Sequence, residues 1–143
     1  MNFNWVTKNI ALGTEFQEYE IPYLVNSGFG AVLDLRAEAC TEARKLRGFG
    51  LVYKRIPVMD NCAPSLNQYL EGIVFLDSNI NNGDKVYVHC KEGRGRSATM
   101  VIAYLIKSGM APIDAYQLVK ERREEANPTL IQVYSLKQFE RVI

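Results

Sequence analysis

Val86-Tyr87-Val88-His89-Cys90-Lys91-Glu92-Gly93-Arg94-Gly95-Arg96-Ser97 joins a strand-like segment to a helical pattern through a short loop that carries a cysteine, two glycines and an arginine. A strand that feeds a tight loop and a helix N-terminus turns several backbone amides towards one point, and the helix dipole adds positive potential there. An anion held at that point meets the Cys90 sulfur. A free thiol titrates near 8.5, and lowering a thiol by about 3 units takes about 4 kcal/mol of differential stabilisation, which convergent amides and a helix dipole can supply. Gly93 and Gly95 suit such a loop, because a tight turn needs either positive φ or close backbone approach. Arg96 presents a planar fork to two oxygens of an anion, which a lysine ammonium cannot match. Ser97, in the first turn of the following helix, can donate its hydroxyl to the sulfur. Lys91, Glu92, Gly93, Arg94, Gly95 and Arg96 are thus read as a phosphate-binding loop, with Cys90 as its nucleophile.

A cysteine six positions before an arginine carries little weight alone. The specificity comes from the setting: His89 before the cysteine, two glycines inside the loop, a serine after the arginine, and a strand on one side with a helix on the other. Working outward, short strands are expected at 5–6 and 10–12, a helix near 17–27 closed by Gly28, a strand at 31–35, a charged helix near 41–48 and a strand at 51–58. Ser65 and Gln68 form a capping-box pattern, and Leu66, Tyr69, Leu70, Ile73 and Val74 recur at helical spacing until Asn81-Asn82-Gly83 stops the helix. After the strand at 85–89 and the loop come helices over 97–107, 112–125 and 129–142, the second with Pro112 in its first turn. Strands alternating with helices predict an α/β fold, a mainly parallel central sheet flanked by helices, with the site at the carboxyl edge of a central strand.

The chain has 143 residues and 48% hydrophobic content, enough for one core, so residues 1–143 are read as a single catalytic domain. Seventeen basic against 16 acidic residues give a net charge of +1, which argues against nucleic acid as a partner. Basic residues gather locally at Arg44, Lys45 and Arg47, read as a solvated helix face, and at Lys91, Arg94 and Arg96, where they favour an anionic substrate. The start of the chain lacks the basic and apolar pattern of a secretory leader, and its longest apolar run, at 100–106, is too short to cross a bilayer. Three cysteines without a framework agree with a reducing, cytoplasmic setting. Cys40 and Cys62 are read as ordinary thiols rather than partners of Cys90, although an accessible thiolate at Cys90 would invite reversible oxidation. The single histidine, His89, leaves metal-site and Ser-His-Asp readings little to work with.

The run His89-Cys90-x5-Arg96-Ser97 resembles the signature of the cysteine-based protein tyrosine phosphatase superfamily, and nearly the whole chain resembles its small dual-specificity branch. The resemblance implies Cys90 as nucleophile, Arg96 as phosphate clamp, Ser97 as the hydroxyl that helps the thiol leave, and His89 as a hydrogen-bonding support, with no metal and no cofactor. Cleaving a phosphate ester also needs an acid on a separate loop. Asp60 is the best candidate: it follows a strand and precedes Ala63-Pro64-Ser65, where a helix begins, in an Ile-Pro-Val-x-Asp context that resembles the family's. Asp34, inside a strand, and Asp84, in the turn Asn81-Asn82-Gly83-Asp84, are its competitors. The stretch Asn127-Pro128-Thr129-Leu130-Ile131-Gln132 resembles a family loop whose glutamine positions water, which makes Gln132 a supporting candidate.

The expected substrate is a phosphorylated protein or peptide, carrying phosphotyrosine and phosphoserine or phosphothreonine, hydrolysed through a phosphocysteine. A phospholipid or inositol phosphate is the rival. The loop from Cys90 to Met100 resembles that of phosphatidylglycerophosphate phosphatases, and Lys91 and Arg94 resemble the basic positions of phosphoinositide phosphatases. Glu92 replaces an alanine common in both groups, and its charge disfavours a polyanionic headgroup. Rhodanese-like sulfur carriers would leave Asp60 and Ser97 without a task. Low-molecular-weight phosphatases carry their motif near the N-terminus, and no Gly-x4-Gly-Lys-[Ser/Thr] marks a nucleotide loop.

Overall fold

A computed structural model describes residues 1–143. Five strands, β1 (Phe3–Trp5), β2 (Ile10–Gly13), β3 (Phe29–Arg36), β4 (Val52–Val58) and β5 (Lys85–His89), form one sheet in the order β1-β2-β5-β3-β4. The β1 ribbon is antiparallel to β2, while β2, β5, β3 and β4 run parallel, so the sheet is mainly parallel as expected. Parallel strands need crossovers, and three helices supply them, α1 (Ile21–Asn26), α2 (Ala43–Gly48) and α3 (Leu66–Asn81), while α4 (Arg96–Lys107), α5 (Pro112–Arg122) and α6 (Leu130–Val142) follow the last strand.

Alternating side chains divide the sheet into two faces. Ile10, Leu12, Val86 and Val88 enter the larger core with Leu76 of α3, Val101 and Leu105 of α4, Val119 of α5 and Leu136 of α6. Ala11 and Tyr87 enter the smaller core with Ile21 and Leu24 of α1 and Leu46 of α2. The central helix α4 buries ten of its twelve residues, which is why its sequence reads as an apolar run.

Several boundaries depart from the periodicity, the first strand among them, at Phe3–Trp5 rather than 5–6. The helix expected over 17–27 is split into a 3₁₀ turn at Glu18–Glu20 and α1, because Pro22 has no amide to give and fits only in a helix's first turn. The helix expected to reach 125 stops at Arg122: Arg123 takes an extended backbone and turns its side chain inward. The third strand runs on to Arg36, past the end expected at 35. The basic cluster on α2 is a solvated face, with Arg44 paired to Glu42 and Lys45 to Glu18 in exposed ion pairs.

Candidate active site

Strand β5 is the middle of five and ends at His89, which lies between Gly13 of β2 and Asp34 of β3. Cys90 to Gly95 therefore leave the carboxyl edge of the sheet at its centre and lead into the N-terminus of α4, whose position is fixed by its buried face. Cys90 is 3% exposed, and its Sγ lies 3.1 Å from the Ser97 hydroxyl in the first turn of that helix.

The five carbonyls between Cys90 and Arg96 are all claimed from outside the loop. Lys91 O accepts from Glu15 N at 2.9 Å and Arg94 O from Asn127 N at 2.7 Å. The Arg123 guanidinium donates to Glu92 O and Gly93 O at 2.9 and 2.8 Å, and Gly95 O accepts from the Thr99 hydroxyl at 2.6 Å. In a trans peptide the N–H opposes the C=O, so five carbonyls drawn outward leave the amides of residues 92–96 turned inward, the arrangement an anion requires. The two glycines serve it differently. Gly93 has φ +68°, and a Cβ there would lie 2.6 Å from Gly13 O. Gly95 needs only close approach, since its Cβ would lie 2.8 Å from the Gln132 side-chain oxygen.

Arg96 is buried, and its fork is half committed. Nη1 donates to Glu38 Oε1 at 2.6 Å and to Val58 O at 2.8 Å, and Nη2 donates to Glu38 Oε2 at 2.9 Å. Of the five N–H groups of a guanidinium, that leaves Nε–H, which is buried without a partner, and one Nη2–H. Those two lie along one edge and can grip two oxygens of a tetrahedral oxyanion. Burial opposes the charge on Arg96, but its hydrogen bonds to Glu38 and the negative charge gathered around it together outweigh that and hold the guanidinium's pKa above its ordinary value. Arg96 in turn lowers the Glu38 carboxyl to about 2.

Asp60 lies on the connection after β4, with its side chain 66% exposed and Oδ1 3.6 Å from Arg96 Nη2. Helix α6 steadies this connection: Thr129 Oγ1 donates to Asn61 O at 3.3 Å and Gln132 Nε2 to Cys62 O at 2.9 Å. Asp60, Cys90, Arg96, Lys91, Glu92, Arg94, Gly95 and Gln132 share one pocket of about 360 Å³ with Asn61, Asn127 and Thr129. Gln132 is buried rather than solvent-facing; its Oε1 caps α6 by accepting from Thr129 N, and one Nε2–H remains uncommitted. Gly93 supports the loop from its outer side.

The two competing aspartates lie elsewhere. Asp84 precedes the N-terminal end of β5, across the sheet from the pocket. Asp34 is fully buried below the site, accepting from Arg36 Nε and Nη2 and, at 2.7 Å, from the Tyr53 hydroxyl. Burial would raise its pKa, but those bonds and neighbouring His89 keep it below its usual range. His89 is also fully buried, packed against Phe16 and Tyr87, with Nδ1 3.0 Å from Cys90 O and Nε2 3.9 Å from Asp34. Burial lowers its pKa against the pull of Asp34 and favours the neutral ring. All three cysteines are free, Cys40 and Cys62 exposed and Cys90 buried.

Glu38 and Arg123 escaped the sequence reading. Nothing distinguishes Glu38 from other charged loop residues until β3 and β4 deliver it to Arg96. Arg123 stands in the run Lys120-Glu121-Arg122-Arg123-Glu124-Glu125, which reads as a solvated helix end.

The family model for the dual specificity phosphatase catalytic domain matches residues 11–142. Human dual specificity protein phosphatase 1 is 41% identical over 90 residues, 62% of this chain and 24% of that protein. Mouse dual specificity protein phosphatase 2 is 36% identical over 131 residues, 90% of this chain and 40% of that protein. The chain thus spans a quarter to two-fifths of the length of these curated relatives. Among solved structures, Tk-PTP in its active form superposes with a TM-score of 0.91 at 29% identity, covering 99% of this chain and 97% of that one. PTPMT1 superposes at 0.89 with 26% identity, covering 98% and 94%.

Proposed function

The chain belongs to the dual specificity phosphatase catalytic-domain family, and from that premise we propose that it is a metal-independent phosphatase acting on phosphorylated proteins through a phosphocysteine. The observation that carries the reading is the junction of the Cys90 sulfur, the uncommitted edge of Arg96 and the Asp60 carboxyl in one polar pocket. The phosphoryl group sits on the loop amides, with two oxygens on Arg96 Nε and Nη2. The Cys90 thiolate attacks phosphorus in line, the S–P bond forms as the P–O bond to the substrate breaks, and Asp60 gives its proton to the departing oxygen. Asp60, now a carboxylate, takes a proton from water held near Gln132. That water attacks phosphorus, inorganic phosphate leaves, and the Ser97 hydroxyl donates to the sulfur as it departs. The loop amides and Arg96 stabilise the equatorial oxygens in both transition states. His89 holds the Cys90 carbonyl at the start of the loop.

A lipid or inositol phosphate substrate is the second reading, favoured by the likeness to PTPMT1, which has also been solved in complex with PI(5)P at 26% identity and a TM-score of 0.90. Lys91 and Arg94 line the pocket and would meet further phosphates. Against it, Glu92 Oε2 lies 3.0 Å from Arg94 Nε and takes up one of those charges, which suits a monophosphate better than a polyanion. No helix is long and apolar enough to cross a membrane; a cytoplasmic location is our reading from the three free cysteines, which suit a reducing compartment.

The test is kcat/KM for phosphotyrosine peptide, phosphothreonine peptide and PI(5)P in vesicles, measured in parallel in the presence of a chelator with Cys90→Ser as blank. The reading expects the peptides to be preferred and Cys90→Ser to be inactive. Preference for the lipid moves the substrate class and leaves the mechanism standing.

A further inference from the structure

Arg123 is 1% exposed, and all four acceptors of its guanidinium are neutral oxygens: Gly93 O, Glu92 O, Asn2 Oδ1 at 3.1 Å and Asn4 Oδ1 at 2.9 Å. A buried cation ordinarily has a carboxylate for company, as Arg96 has Glu38 and Arg36 has Asp34. Arg123 has instead two backbone carbonyls of the phosphate loop on one side and, on the other, the side-chain amides of Asn2, just before strand β1, and Asn4, within it. We propose that Arg123, held by Asn2 and Asn4, is a positioning residue that sets the phosphate loop in its anion-binding form, and that the bound anion supplies the countercharge its guanidinium otherwise lacks.

Three observations support this. The Glu92 and Gly93 carbonyls are consecutive, and a planar fork that takes both fixes two peptide planes at once, turning the Gly93 and Arg94 amides inward. Gly93 is pressed from behind, since a Cβ there would meet Gly13 O at 2.6 Å and Arg123 Nη2 at 2.9 Å, so the loop is held against β2 and the arginine together. The β1 ribbon is in turn tied to the end of β2, through Asn2 N donating to Thr14 Oγ1 at 3.1 Å and Thr14 N donating to Asn2 O at 3.0 Å. Asn2 and Asn4 lie outside residues 11–142, the segment the family model matches. The inference rests on the loop being an oxyanion site, as the proposed function has it, but not on turnover.

The test compares wild type, Arg123→Lys and the double variant Asn2→Ala/Asn4→Ala. For each, tungstate affinity is measured by calorimetry, kcat and KM with p-nitrophenyl phosphate, and the thermal midpoint. Lysine keeps the charge but cannot reach both carbonyls, so Arg123→Lys should weaken tungstate binding and lower kcat by about 10- to 100-fold. The asparagines are exposed, and replacing them leaves the core and the β1 backbone pairing in place. That variant should keep its thermal midpoint and lose about 3- to 10-fold in tungstate affinity. An asparagine variant that folds and binds tungstate like wild type overturns the clamp, as does a folded Arg123→Lys with unchanged kcat and affinity. A wild type that binds tungstate without hydrolysing the ester refutes the phosphatase reading, while the binding measurements still decide the clamp.

Discussion

The two loops that meet in the pocket are built in opposite ways. From Cys90 to Gly95 every intervening carbonyl is tied to a different part of the chain: the loop after β2, Arg123, Asn127 and α4. The connection carrying Asp60 is exposed, and its carboxyl makes one hydrogen bond, to its neighbour's amide, and one longer approach to Arg96. A grip on phosphate must be organised before substrate arrives, because stabilising charge in a transition state works best when dipoles need not reorganise. An acid has to reach leaving groups of different size, and an exposed position serves that.

The comparison breaks first at its reactive centre. Cys90→Ser should lower kcat by about 10⁴-fold or more while keeping tungstate binding, since serine has the wrong nucleophilicity but leaves the loop amides in place. Appreciable turnover, measured with p-nitrophenyl phosphate, would remove Cys90 as nucleophile. Arg96→Lys should cost about 10²- to 10³-fold in kcat/KM, because a point charge cannot span two oxygens.

On the other loop, Asp60→Asn should cost about 10²-fold for alkyl phosphates and much less for aryl phosphates with acidic leaving groups. An equal loss across leaving groups would count against the acid role. Glu38→Gln keeps the shape but not the charge beside Arg96, and should change KM by about 3- to 10-fold with a smaller effect on kcat. Steady-state kinetics on this variant would show how far Glu38 aligns the guanidinium.

Acid should separate the two regions as well. His89, held below its ordinary 6.5 by burial, and Glu38, held at about 2 rather than 4.5 by Arg96, both bind fewer protons folded than unfolded. Their contributions to stability are therefore complete above about pH 6.5 and are lost as pH falls, His89's first and Glu38's between about 4.5 and 2. Urea midpoints against pH should show this decline, and Glu38→Gln should have a shallower lower part, with Asp34 and Glu20, also held below their ordinary values, supplying what remains. A variant that tracks wild type through that range would contradict the pairing.

How much of this was legible beforehand follows from how local each cause is. The loop, its glycines and the helix after it are specified by neighbours in sequence, and the strand at 85–89 and the capped start of α3 fall where periodicity and the Ser65-Gln68 box place them. Asp60 could be ranked above Asp34 because loop position is also local, and above Asp84, itself in a turn, by its Ile-Pro-Val-x-Asp context. Glu38 and Arg123 could not be found that way. Each acts on a group more than 25 residues away in the chain, Glu38 on Arg96 and Arg123 on Glu92 and Gly93, through strand order and the turn that ends α5. The early end of α5 has the same origin, since a helical sequence gives way where a long-range hydrogen-bond set outweighs propensity.

The central claim is that Cys90 carries the phosphoryl group between substrate and water. Rapid acid quench during turnover of a phosphotyrosine peptide by Ser97→Ala, followed by mass spectrometry of the peptide containing Cys90, tests it most directly. The account predicts one phosphoryl group on Cys90, accumulating in a burst before steady state. Turnover at a measurable rate with Cys90 unmodified at every time point would contradict it.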